Sequence, residues 1–210
     1  MSIDSWNGID EDHCRALTHE YFRCEDAFKL FCECAEYMIL REKTREISYR
    51  AYNAYSSFIH HLYEFLLGAH ARDRKNKNIT NKKGEERTRI IEGYITFQAQ
   101  RVMNRYRDDI KEGRAPSWVN DISYYDVTVP AEFATDFRLY RNKISGHVSH
   151  ERVSELNLSE FYQKYHKYIY YIFLDSKYMW GGGDEEFPDL KEITEFSVMV
   201  TAPSQAVAGG

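Results

Sequence analysis

Four stretches of this chain place apolar and aromatic residues at steps of three and four, and that period leaves few folds open. In residues 10–41 the stripe is Leu17, Tyr21, Phe28, Phe31, Ala35, Met38 and Ile39. In 44–71 it is Tyr49, Tyr52, Tyr55, Phe58, Ile59, Leu62, Phe65 and Leu66. In 85–112 it is Ile90, Ile91, Tyr94, Ile95, Phe97, Val102, Met103 and Tyr106. In 157–180 it is Leu158, Phe161, Tyr162, Tyr165, Tyr168, Ile169, Ile172 and Phe173. Residues so spaced stack on one face of an α-helix. Only 4 Pro and 11 Gly occur among 210 residues, so the helices can run long. The expected fold is all-α: a bundle of about five helices over residues 1–180, followed by a C-terminal extension over 181–210.

Turn chemistry sets the expected boundaries. Asp10 or Asp12 can cap the first helix. Residues 73–86, DRKNKNITNKKGEE, read as an exposed basic loop, either solvated or in contact with phosphate. Gly113 stops the third helix, and Pro116 follows. The connector SWVNDISYYDVTV holds one candidate strand, Tyr124 to Val129. Pro130 stands at a helix start, before AEFATDFRLYRNK. Asn157 or Ser159 can cap the last helix. Beyond GGGDEEFPDL, the run from Ile193 to Val200 alternates and is a second candidate strand or a partner-docking segment. The end, APSQAVAGG, is expected to be disordered.

The net charge of -5 hides an uneven distribution. Acids crowd residues 1–36 and the last thirty residues, whereas Arg72, Arg74, Lys75, Lys77, Lys82, Lys83, Arg87 and Arg89 make a basic middle. That middle is a candidate nucleic-acid surface in an otherwise acidic chain. No apolar run approaches the roughly 20 residues of a membrane span. MSIDSWNGIDEDHC lacks the apolar core of a signal peptide, so a cytoplasmic protein with no membrane partner is expected. Cys14, Cys24, Cys32 and Cys34 lack CxxC spacing and read as reduced thiols, so neither a metal nor another cofactor is expected. His60 and His61 read as core-edge residues or as partners of a tautomer-fixing hydrogen bond.

Between the last two helices stands RNKISGHVSH, Arg141 to His150. Cleaving RNA without a metal requires a base for the ribose 2′-OH, an acid for the leaving oxygen and a cation for the phosphorane charge. Histidine suits the first two because it titrates near neutrality. The arginine fork suits the third. On an unbroken helix, six residues turn about 600°, which leaves Arg141 and His147 about 120° and roughly 9 Å apart. Either Ser145-Gly146 kinks or ends the helix, or a second copy of the chain supplies the missing partner.

The run R-N-K-I-S-G-H resembles the motif of the HEPN superfamily (higher eukaryotes and prokaryotes nucleotide-binding). That motif is an Arg, usually followed by a polar residue, with a His after four to six intervening residues. Arg141, Asn142 and His147 match it, and the helical setting before a final long helix is similar. The resemblance implies a HEPN-like bundle and a metal-independent endoribonuclease with a site shared between two protomers. It also implies work in toxin–antitoxin or phage-defence systems and products with 2′,3′-cyclic phosphate and 5′-OH ends. His147 would be the acid/base, Arg141 would bind and stabilise the phosphate, and Asn142 would orient the pair or hold the helix turn. Ser149 stands where some toxins of the superfamily carry a Tyr.

Around the motif, Arg138 either widens a phosphate clamp or pairs with Asp136 or Glu132. His150, one turn after His147, either carries a second proton or lies at the surface. Lys143 either completes the candidate substrate contacts or is simply solvated. The expected partners are RNA, a second copy of the chain, and an antitoxin or regulatory protein. The alternative is a non-catalytic helical module or scaffold that binds nucleotides or proteins. In that case Arg141 and His147 belong to a structural network, and the acidic tail serves as a docking element.

Overall fold

The computed structural model describes residues 3–75, 84–145, 157–179, 195–198 and 200. Among them run five long helices: α1 (Ile3–Leu40), α2 (Arg45–Asp73), α3 (Glu85–Lys111), α4 (Phe133–Ser145) and α5 (Leu158–Ser176). The fold is an all-α bundle, and the described residues include no strand. Both candidate strands are therefore corrected. Ile122–Tyr124 is a 3-10 turn capped by Asp121, whose side chain accepts from Ser123 N at 2.9 Å. Residues 195–198 are helical and exposed. In both segments, alternation over so few residues lacks a neighbouring strand to pair with.

α1 and α2 form a hairpin whose register is set by aromatic pairs. Tyr21 meets Phe65 at 6.1 Å, Phe28 meets Phe58 at 4.8 Å, and Phe31 meets Tyr55 at 4.8 Å. The numbers rise on one helix as they fall on the other, so the two run antiparallel. At Gly68 a β-carbon would stand 3.1 Å from Leu17 Cδ2, so this glycine lets the helices approach closely. Phe173 closes the layer from α5, stacked on Tyr21 at 5.7 Å and edge-on to Phe58 at 5.3 Å. Phe58, Ile59, Leu66, Ile95, Met103, Phe133, Phe137 and Ile172 are fully buried in the same core.

The helix ends follow local chemistry in most places. Thr44 caps α2 by accepting from Ile47 N at 3.2 Å, and Asn157 caps α5 by accepting from Glu160 N at 3.1 Å. Gly113, at φ 71°, ends α3 as expected. Asp10 does not cap α1, which begins seven residues earlier, at Ile3; its carboxylate instead takes two bonds from Arg72, at 2.8 and 3.1 Å. Pro130 lies one turn before α4 rather than at its first residue, and its carbonyl accepts from Phe133 N at 3.1 Å. Tyr49, Ile39 and Phe97, three members of the sequence stripes, are exposed.

Gln100 pins the connector onto α3. Its amide donates to Val127 O at 3.0 Å and accepts from Val129 N at 2.9 Å, which fixes the approach to α4. α4 then lies antiparallel to α5, with Phe133 against Tyr168 at 5.5 Å and Tyr140 against Phe161 at 4.4 Å. That packing turns Arg138 and Arg141 toward α3 and α2, where their carboxylate partners stand.

Candidate functional site

Arg141 sits on the face of α4 that meets α2. Its guanidinium lies 5.5 Å from the centre of the Tyr63 ring. One terminal nitrogen donates to Glu64, and the other donates to Asn142 Oδ1 at 2.8 Å. Nε is buried and has no hydrogen-bond partner among the described residues. The side chains of Arg141 and Glu64 are 29% and 28% exposed, so the pair is wet on one side only. The fork is thus oriented by an acid on one prong and by its sequence neighbour on the other.

Arg138, one turn earlier, donates from Nε to Glu92 on α3 at 2.7 Å. It pairs with neither Asp136 nor Glu132, because tertiary packing brings a better partner. Asp136 instead accepts from the Tyr165 hydroxyl at 2.7 Å. Tyr63 lies within the electrostatic reach of both arginines. Burial pushes its hydroxyl above the ordinary range, while Arg141, Arg138 and Arg87 pull it back.

α2 contributes two histidines beside this cluster. His60 precedes Glu64 by one turn, on the same helical face. Burial holds its pKa below the ordinary value; His61 and Arg141 add to that, and Glu64 opposes it. That environment favours the neutral ring. His61 Nδ1 meets Glu20 Oε1 at 2.7 Å, the carboxylate bond that fixes a ring. A cleft of about 360 Å³ between α1 and α2 adjoins them, lined by Asp12, His13, Leu17, Glu20, Glu64 and Gly68.

The structure therefore gathers Arg138, Arg141 and Asn142 on one stretch of α4, with Lys143 half-buried on its last turn. His147 and His150 lie outside the described residues, as does most of the basic loop. Glu64, Tyr63 and Glu92 are the site residues that spacing did not reveal. Their signal is a polar position one turn from His60 and another in the first half of α3, but only the packing of α4 shows what they face. Among the described residues, no group of three His, Cys, Asp or Glu is arranged to hold a metal ion. No described helix is long and apolar enough to cross a membrane.

Chemically, the arrangement offers an oxyanion a guanidinium with N–H groups to spare, next to a neutral imidazole. By class this is an all-α bundle with an arginine-centred polar site where α2, α3 and α4 meet. No family model, no curated protein and no solved structure matches the chain.

Proposed function

We propose that the chain is a metal-independent endoribonuclease of the HEPN type, with a site shared between two protomers. The observation that carries the reading is the bond from Arg141 to Asn142 Oδ1: the polar residue after the motif Arg orients its fork. In this reaction His147 takes the proton from a ribose 2′-OH, and the 2′-oxygen bonds to phosphorus. The bond from phosphorus to the 5′-oxygen breaks, and that oxygen receives a proton from the imidazolium of a second His147. The products are a 2′,3′-cyclic phosphate and a 5′-OH end. Arg141 neutralises the charge that builds on the phosphorane oxygens. Arg138, Lys143 and His150 extend the contacts to the strand. RNA, a second copy of the chain and a restraining antitoxin are the partners this reading carries, in toxin–antitoxin or phage-defence work. RNA cleavage in EDTA, compared with His147→Ala, tests it.

A second reading has its own observation. Arg141 is already engaged by Glu64 inside the protein, as a structural ion pair would be. On that reading the chain is a non-catalytic binding module. A large fall in melting temperature on Arg141→Ala, with no nuclease activity in the parent, favours it.

A further inference from the structure

On the other side of the bundle, Asp175 stands in the last turn of α5, where a carboxylate is doubly disfavoured. The helix dipole presents its negative end there, and the side chain is only 5% exposed. Two arginines of α3 offset this: Arg101 donates to Oδ2 at 2.8 Å, and Arg105 donates to Oδ1. One buried carboxylate thus holds two guanidinium groups side by side. It neutralises one charge and leaves one in excess. Both arginine side chains are 49% exposed, so each keeps N–H donors for a ligand.

The pair lines a groove of about 500 Å³. One turn before Arg101 on α3, the Phe97 ring lines the same groove and is 61% exposed. Phe97, Arg101 and Arg105 step by four, which drifts only about 80° around the helix over two turns. Asn104 adds an amide to the same lining. Among the described residues, acids line the groove only at its far end, where Asp108 is bonded to Arg107 at 2.9 Å and Glu112 is paired with Arg114. The end near Phe97 is cationic and aromatic.

We infer that this α3 groove binds a single nucleic-acid strand, with phosphates on Arg101 and Arg105 and an unstacked base on Phe97. The inference rests on the reading of RNA as substrate and gives the strand a second hold, away from Arg141. An arginine pair fixed in advance loses little freedom on meeting a phosphate. An exposed ring accepts any base and is reached only by an unpaired strand.

The test is fluorescence anisotropy with a labelled single-stranded oligodeoxynucleotide, which has no 2′-OH and so is not cleaved. The parent protein is expected to bind, more weakly as salt rises. Arg101→Gln with Arg105→Gln should weaken binding at least tenfold and flatten the salt slope by about 1.4, at ~0.7 per phosphate contact. Phe97→Ala leaves Asp175 paired and should weaken binding roughly 5- to 150-fold. It decides the matter if the double variant does not fold. No binding by the parent, parent-like binding by the folded groove variants, or equal competition by polyglutamate would overturn the groove. Groove variants that lose binding in a protein that cleaves no RNA would leave the groove standing and sink the nuclease reading.

Discussion

Glu64 on α2 and Arg141 on α4 form an ion pair across 77 positions of sequence, with the Tyr63 ring packed beside the guanidinium. The pair couples the motif arginine to the hairpin that builds the core. It also sets a choice for Arg141 between an internal carboxylate and an external phosphate. In the nuclease reading, Glu64 aims the fork and then shares it. Arg141→Ala should lower the cleavage rate by about 10²–10³-fold. Arg141→Lys should not restore it, because an ammonium cannot hold Glu64, Asn142 and a phosphate in one plane. Glu64→Gln should cost no more than about 1 kcal/mol of stability, since the pair is partly solvated. Single-turnover rates and chemical denaturation measure the two effects separately.

His166 gives the fold a pH dependence of defined sign. Its Nδ1 lies 3.0 Å from the Tyr55 hydroxyl, and its ring stacks on Tyr162 at 4.3 Å. Burial pushes its pKa down from 6.5 to about 4. Between those values the unfolded chain binds the proton and the folded chain does not, so stability rises with pH. The contribution is complete above about pH 6.5 and is lost as the pH falls toward 4. Melting temperatures at pH 7 and pH 5 should differ. In His166→Gln that difference should shrink.

The core offers a prediction independent of function. Phe58 has no exposed surface and touches Phe28, Tyr55 and Phe173. Phe58→Ala should cost about 3–5 kcal/mol, because three rings lose a common neighbour and cannot collapse into the gap. Denaturant unfolding measures it. A loss under about 1 kcal/mol would mean that α5 does not close the hairpin as described.

Much of this architecture was legible because helices announce themselves by period. Tyr21, Phe28, Phe58, Phe65 and Ile172 could be assigned to the core from spacing alone, and Asn157 and Gly113 marked ends by their own backbone chemistry. The strand readings of Tyr124 to Val129 and Ile193 to Val200 failed because alternation over a few residues fits a turn or a short helix equally well. The site was legible only as a motif. Arg141 and Asn142 could be singled out, but Arg138 turned to Glu92 rather than to its helical neighbours. Such a choice depends on how α3 and α4 cross, which no local spacing encodes. Asp175 was invisible for the same reason, since its partners lie 70 and 74 positions away.

The measurement that bears most directly on the central claim is cleavage of mixed tRNA and ribosomal RNA in EDTA by the full chain and by His147→Ala, with the ends identified chemically. The account predicts 2′,3′-cyclic phosphate and 5′-OH ends from the parent and intact RNA from the folded variant. Equal cleavage by both, or intact RNA from a folded, dimeric parent, would contradict it.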